Sequence, residues 1–351
     1  MARTVVGLDI GTTAVRAVEL VVSQSPPGLR AFGEVPLPVG SVFHGEIREA
    51  GQVSAALSSL WRQAGFRTRR VVVGLANEKV ALRQIELPLM DYDDLRASLT
   101  WQIAGSLPFR PGEAVLDAIV LGGFHDPDGT AMMRVLVVGA GRDMIDEVVS
   151  SSRGARLQPT AIDLTPFALA RSLVPAAAAG GAFAGTDAIL DIGAAVTNVV
   201  VRDRAAPRFA RILSLGGEDF TEALATDLGL DHEAAEQLKL RVSAGEIDQE
   251  AMRTLSAFTD TFATEVVDTL RYYDSQPESP PVDRLILAGG GSRLPLVEER
   301  LRTRLPITIE HGQALNLVRV QDELAGNEPL LADAQVRLAV PIGLALRGMA
   351  A

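Results

Sequence analysis

Two short segments of this sequence have the residues to hold a polyphosphate. Gly7-Leu8-Asp9-Ile10-Gly11-Thr12-Thr13 and Leu190-Asp191-Ile192-Gly193-Ala194-Ala195 share the tripeptide Asp-Ile-Gly, each time at the end of an apolar run. Gly11 and Gly193 let the backbone turn tightly and approach a ligand without a Cβ clash. The N–H groups that follow, with the Thr12 and Thr13 hydroxyls, can point into a phosphate. Asp9 and Asp191 would repel a polyphosphate unless a magnesium ion lay between them. Together the two turns read as a clamp for a Mg-triphosphate. One Asp-x-Gly-x-Thr turn alone reads as an ordinary hairpin, so the specificity lies in the duplication.

A third segment follows in the order such a clamp needs. Leu287-Ala288 leads into Gly289-Gly290-Gly291-Ser292-Arg293-Leu294-Pro295. Three glycines remove side chains where a flat ring or a sugar must lie against backbone, and the helix start after them favours partial negative charge. Glu236 and Lys239 are three apart and share one helix face; alone they read as a surface ion pair of little energetic weight. Lys79 and Lys239 are the lysines among 33 basic residues, which singles both out. Arginine does not replace a compact ammonium everywhere.

The elements that must position these residues are legible from periodicity. Thr4–Leu8 and Val15–Val22 flank the first turn as a hairpin, and Ala188–Ile192 and Thr197–Val201 flank the second in the same way. Val71–Leu75 and Arg284–Ala288 read as buried strands. Ala55–Ala64, Asp91–Ile103, Asp143–Ser151 and Pro166–Ser172 read as helices, and a helical block runs from Asp219 to about Gln276. Its last helix carries Leu255, Phe258, Phe262, Val266, Leu270 and Tyr273 on one stripe. Val115–Gly122 and Met133–Gly139 are strands joined by the turn His125–Gly129. Pro175–Gly185, uncharged and rich in alanine and glycine, reads as an interlobe linker or hinge, or else as a packed small-residue helix.

Composition bounds the rest. A chain of 351 residues suits two lobes rather than one ordinary domain. The net charge of -11 argues against a nucleic-acid groove. There is no cysteine, and the four histidines have no metal-binding spacing, so a metal would be a hard ion held by oxygens. No signal peptide and no apolar run long enough to span a bilayer is visible, so the expectation is a cytoplasmic chain.

The order of strand-turn phosphate loop, second phosphate loop and Gly-Gly-Gly-Ser loop resembles the actin, hexokinase and DnaK-type superfamily. Within it, Val6–Leu20, Glu86-Leu-Pro88 with Leu95–Trp101 and Leu107-Pro-Phe109, Asp163–Arg171, Gly216-Gly-Glu-Asp-Phe-Thr221 and Gly343–Gly348 resemble the PilM family of type IV pilus assembly proteins over nearly the whole chain. The resemblance implies an α/β, actin-like two-lobed fold with an FtsA-like inserted subdomain. The expected division is 1–82 with 154–180 and 330–351 as first lobe, 83–153 as insert, 186–222 and 280–329 as second-lobe core, and 223–279 as its helical subdomain.

It further implies ATP and Mg²⁺ as ligands. Asp9 and Asp191 would face the metal. Gly11, Thr12, Thr13, Arg16, Gly193, Thr197, Gly216, Gly217, Glu236, Lys239, Gly289, Gly290, Gly291, Ser292 and Arg293 would face the nucleotide, with Glu236 and Lys239 on ribose and base. The family usually carries lysine where this chain has Arg16, which changes the phosphate contact expected there. Related ATPases carry a water-positioning glutamate where this chain has Thr165, so slow or absent hydrolysis is expected; Asp163 is displaced from that position by two residues. The implied partner is the cytoplasmic N-terminal peptide of an inner-membrane PilN-type protein, which would recruit the chain to the inner face of the cell membrane. An extended peptide could add to a strand edge of the insert, near Trp101 and Phe109, unless those rings fill the insert's own core. Self-association stays open. So do a small-molecule kinase of the same superfamily and an FtsA-like division protein, although the latter needs a C-terminal amphipathic helix and this sequence stops at Gly348-Met-Ala-Ala351.

Overall fold

The computed structural model describes residues 3–102, 109–110, 112–174, 185–203, 206–276, 278–294, 296–321, 324 and 328–348. The linker expected at Pro175–Gly185 and the Leu107-Pro108 pair lie outside them, apart from Gly185. In chain order the strands are β1 (Thr4–Ile10), β2 (Ala14–Val21), β3 (Gly28–Pro36), β4 (Val42–Phe43), β5 (Glu46–Ile47), β6 (Arg70–Leu75), β7 (Ala81–Pro88), β8 (Ala114–His125), β9 (Ala131–Gly141), β10 (Gln158–Leu164), β11 (Thr186–Ile192), β12 (Thr197–Asp203), β13 (Ala206–Leu213), β14 (Arg284–Ala288), β15 (Thr308–His311) and β16 (Arg319–Val320). The helices are α1 (Ala50–Ala64), α2 (Tyr92–Gln102), α3 (Arg142–Gly154), α4 (Thr165–Leu173), α5 (Gly217–Leu228), α6 (His232–Ser243), α7 (Gln249–Asp274), α8 (Val297–Arg304) and α9 (Glu328–Arg347).

Two sheets repeat one plan. The first runs β3-β2-β1-β6-β10, with β16 added beside β3; the second runs β13-β12-β11-β14-β15. Each has three antiparallel strands followed by two parallel ones. Their central strands are aliphatic and buried on both faces, as Val71, Val73, Ile189, Leu190 and Val199 show. α9 crosses the first sheet so closely that a Cβ on Gly7 would lie 1.9 Å from the Pro341 carbonyl oxygen. α5 and α7 cover the second sheet through Phe220, Phe262, Val266 and Tyr273, and α6 packs on both.

The helical block resolves into these three helices because breakers interrupt it. Gly229 and Gly245 take left-handed backbone (φ 64° and 102°). Asp231 then caps α6, and Asp248 caps α7 by accepting the Glu250 and Ala251 N–H groups.

The insert is a third sheet, β7-β9-β8, under α2, with its own core of Leu87, Leu95, Leu99, Met133, Val135 and Val137. Phe109 packs partly against that core, whereas Trp101 is 80% exposed. Of the two readings for these rings, core filling therefore holds for Phe109 alone.

Candidate functional site

The two Asp-Ile-Gly hairpins have the same hydrogen bonds. The Gly11 N–H donates to Ala14 O at 3.0 Å, and the Gly193 N–H donates to Val196 O at 3.0 Å. Register then places Arg16 opposite Asp9 and Asn198 opposite Asp191. Cross-strand neighbours are close enough to set each other's electrostatics. Asn198 is a site residue that the sequence reading missed. Counting seven residues on from each aspartate, across a hairpin of known offset, would have found it.

The two carboxylates live differently. Arg16 Nη1 is 3.9 Å from Asp9 Oδ2, and Arg16 Nη2 lies 3.0 Å from Glu34 Oε1. Burial raises the Asp9 pKa; Arg16 opposes that and Glu34 adds to it. Asp191 is 7% exposed and accepts a 2.9 Å hydrogen bond from Asn198 Nδ2. Burial pushes its pKa up to about 6; the Asn198 bond lowers it, Asp9 raises it and Arg16 lowers it. Asp9 and Asp191 thus feel each other across the cleft. Asn198 Oδ1 is buried beside Asp191 with no hydrogen-bond partner. Among the described residues no cluster of three or more metal-ligating side chains forms, so a cation here would rest on this pair and on oxygens from its ligand. The donor set suits a hard ion such as magnesium: two oxygen anions, one with a strongly raised pKa and both able to gain from a counter-charge.

Two glycine loops press onto the second-lobe turn. A Cβ on Gly216 would sit 2.4 Å from Ala194 O, and one on Gly291 would sit 2.3 Å from Ile192 Cγ2. Gly289 (φ +77°) would bring a Cβ within 2.7 Å of Asp191 Oδ1. These loops can approach only because they lack side chains. Gly217 N–H donates to Gly193 O at 2.9 Å, and Glu218 N–H to Ala194 O at 2.7 Å. Lys239 is buried and holds the same loop from behind: Nζ donates to Gly217 O at 2.8 Å and Thr221 Oγ1 at 2.7 Å, and pairs with Glu236 Oε2 at 2.6 Å. Its three N–H bonds are spent on protein. Glu236, about a third exposed, keeps one carboxylate oxygen clear of these bonds.

The remaining expected residues divide. Gly290 faces open space and Arg293 is exposed, as contacts to a ligand require. Thr12 is half-buried and Thr13 exposed at the first turn. Thr197 is fully buried and donates its hydroxyl to Leu215 O at 2.6 Å, so it anchors the loop before Gly216. Ser292 donates to Gly289 O at 2.7 Å and shapes the glycine loop from within. Thr165 begins α4, 4% exposed, beside Gly74. Asp163 is neutralised by Arg171 and by Arg347, whose Nη1 is 3.0 Å away. Lys79 is exposed and pairs with Glu46. The lobes also touch at His44, whose Nδ1 lies 3.1 Å from Ala195 O.

A second concavity, of about 700 Å³, lies between β8 of the insert, α4 and the end of β10. Val115, Asp117, Ile119, Phe167, Arg171 and Arg347 are among its walls, and Arg202 and Pro207 enter from the second lobe. Arg202 is buried and donates to Ala170 O and Val174 O, both at 3.0 Å. β8 is, with β7, an edge strand of its sheet, so one row of its main-chain groups is unused by sheet pairing.

A duplicated five-strand sheet with facing turns and a glycine loop defines the actin-like α/β fold. EutJ from Carboxydothermus hydrogenoformans shares it at TM-score 0.59 and 16% identity, over 98% of this chain and 89% of that one. The structure of a PilM-PilN type IV pilus biogenesis complex matches more fully: 29% identity, 99% of both chains covered, TM-score 0.86. The family model described as type IV pilus assembly protein PilM matches residues 7–349. The chain belongs to the PilM family of type IV pilus assembly proteins.

Proposed function

We propose that this chain binds Mg-ATP between its lobes and holds the cytoplasmic N-terminal tail of an inner-membrane PilN-type protein in the groove beside its insert. The facing turns carry this reading: each offers a carboxylate, the two are coupled, and Asp191 is held under-neutralised in a glycine-lined pocket. Magnesium would be held by Asp9 and Asp191 together with phosphate oxygens, and would neutralise charge on the triphosphate. Backbone N–H groups after Gly11 and Gly193, with Thr12 and Thr13, would receive the phosphates. Gly290, Arg293 and Glu236 would receive the nucleoside, while Lys239 supports the Gly216-Gly217 loop. The lobes in this reading are 1–82 with 154–180 and 330–351, and 186–222 with 280–329; the insert is 83–153 and the helical subdomain 223–279.

Hydrolysis is expected to be slow. Thr165 offers no carboxylate, and Asp163 is tied up by two arginines. General-base catalysis contributes about 10²–10⁴-fold, so turnover should fall short of a carboxylate-equipped relative by that order. Steady-state phosphate release from the purified chain measures this; rapid turnover by the chain alone contradicts it.

The partner tail is expected to lie extended along the edge of β8, adding a strand and placing alternate side chains on Val115, Ile119 and Phe167. The net charge of -11 favours basic residues in the tail and an association that slows with salt. Such a tail would bring the chain to the inner face of the membrane without a span of its own; among the described residues no helix is long and apolar enough to cross one. The test is calorimetry with the synthetic tail. Val115→Asp should lower affinity at least about fivefold, the scale of a side chain contributing over ~1 kcal/mol. Unchanged affinity would place the tail elsewhere.

A further inference from the structure

The first lobe has a positive end in a chain whose net charge is -11. Residues 50–77 carry Arg62, Arg67, Arg69 and Arg70 and no acid; residues 148–162 carry Arg153 and Arg156 and no acid. The fold brings the two stretches together. Arg70 stands beside Gln158 where β6 pairs with β10, the Gln158 N–H donates to Arg69 O at 2.7 Å, and Arg69 Nη1 donates to Ala155 O at 3.3 Å. α1 packs on α3, with Ser54 Oγ donating to Ser151 O at 2.9 Å. All six arginines are exposed, and none forms an ion pair with a described carboxylate. Exposed arginines of the second lobe do pair: Arg253 with Glu250, Arg271 with Asp268 and Arg302 with Glu298.

The loop between α1 and β6 that presents Arg67 and Arg69 is fixed from beneath. Glu19 of β2 is fully buried and takes no part in the cleft; its Oε2 accepts Arg30 Nε at 2.9 Å and the Arg67 N–H at 3.0 Å. Arg30 Nη2 donates on to Gly65 O at 2.8 Å, and Trp61 Nε1 donates to Thr68 O at 2.9 Å. A buried carboxylate is costly unless it is hydrogen-bonded, and here those bonds hold the loop in one shape. Arg156 has left-handed backbone, φ 60°, at a position that suits glycine. Helix-end electrostatics accounts for Arg62 and Arg153, which lie in the last turns of α1 and α3. It does not account for Arg67, Arg70 and Arg156, whose guanidinium groups make no bond to a described residue.

We propose that this end of the first lobe lies on the anionic headgroups of the membrane face, a contact separate from the tail. The choice of a bilayer rests on the tail-binding function proposed above; the basic surface itself does not. Clusters of about four to eight arginines or lysines beside a membrane anchor bind anionic lipid. None of the six lines the groove beside the insert, so an extended surface suits them better than one enclosed anion. Trp61 is buried against Phe66, at 4.9 Å between ring centroids, rather than displayed for stacking on a base. β10 runs from Gln158 at this patch to Ile162, Asp163 and Leu164 at the groove, about 20 Å at roughly 3.3 Å per residue. A tail rising extended from the headgroups spans that distance in about six residues. Acids farther away than roughly 8 Å are screened at physiological salt, so the acidic remainder of the chain does not cancel the local attraction.

The experiment is flotation of the full-length chain, without tail or nucleotide, on vesicles of phosphatidylcholine alone and of equal parts phosphatidylcholine and phosphatidylglycerol. The expected result is binding to the second kind only, lost as salt is raised. Each basic residue near an anionic surface adds about fivefold. Arg156→Gly should therefore bind about fivefold more weakly, and it should unfold no more easily than the wild type, because glycine suits that backbone. Arg67→Gln/Arg70→Gln/Arg156→Gly should bind about a hundredfold more weakly. Arg253→Gln/Arg271→Gln/Arg302→Gln removes the same charge from the second lobe and should bind as the wild type does. Equal binding to both vesicles, undiminished binding by the first-lobe triple variant, or an equal loss in the second-lobe control overturns the proposal. So does displacement by inorganic phosphate beyond its ionic-strength effect, which marks a discrete anion site, or tighter binding of duplex DNA than of vesicles at equal phosphate. Calorimetry with the synthetic tail separates the two claims. Vesicle binding without tail binding removes the proposed function and leaves the patch; tail binding without vesicle binding removes the patch alone.

Discussion

The hairpins β1–β2 and β11–β12 share a turn, a register and a neighbouring parallel strand, and they differ in what faces the aspartate. In the first, Asp9 meets Arg16, a cation that it shares with Glu34. In the second, Asp191 meets the neutral Asn198 in a buried pocket, and its proton is held up to a pKa of about 6. One backbone plan thus supplies a buried carboxylate with a cation across the hairpin and a buried carboxylate without one. A cation entering between them gains most from the second, since that is where burial has withheld a counter-charge. Duplication sets the geometry, burial raises both carboxylates, and the residue seven positions on decides whether a cation stands opposite.

The largest expected effect that sharpens this contrast is on stability against pH. The folded-state pKa of Asp191 lies above the ordinary aspartate value of 3.8, at about 6. Between these values the folded chain binds more protons than the unfolded one, so the ligand-free fold loses stability as pH rises from about 4 to 6. Above that the cost is about 3 kcal/mol, from 1.36 kcal/mol per pKa unit. Asp191→Asn should equal the wild type near pH 4 and exceed it by that order at pH 7 in urea denaturation. A constant difference across that range would show that Asp191 is not the group responsible.

A smaller effect separates the turns by packing. A Cβ at Gly193 would lie 2.8 Å from Val196 O, a backbone atom that cannot yield cheaply; at Gly11 the nearest atom is Ala14 O at 3.1 Å. Overpacking of this kind costs about 1–3 kcal/mol. Gly193→Ala should fall in that range by chemical denaturation and Gly11→Ala below it. Equal losses would mean that the second turn is no more tightly built than the first.

Much of this was legible in the sequence, for a definite reason. Asp-Ile-Gly twice, each between aliphatic runs, fixes two hairpins, and a hairpin with a set turn fixes which residues face each other. The glycine loop was readable because nothing but glycine tolerates backbone pressed on Asp191. Contacts between distant segments were not readable. Glu34 sits on β3, whose charged and glycine residues hide its strand pattern, and Arg337 reaches it from the far end of the chain. The tasks of Thr197, Ser292 and Lys239 were also hidden: residue type announces a polar group but not whether protein has already used it. Lys239 looked like a ligand contact by rarity, and its three donors turn inward.

In the proposed reading Asp191 and its first-lobe counterpart Asp9 clamp Mg-ATP between them. Thermal unfolding of the wild type, Asp9→Ala and Asp191→Ala, each with ATP in the presence of magnesium and again with EDTA, tests it most directly. At about 100 times the dissociation constant, Mg-ATP should stabilise the wild type by roughly 2.7 kcal/mol. The magnesium-dependent part should disappear in Asp191→Ala and shrink in Asp9→Ala. A melting temperature that Mg-ATP leaves unchanged in the wild type, or a shift retained in full by Asp191→Ala, would contradict the account.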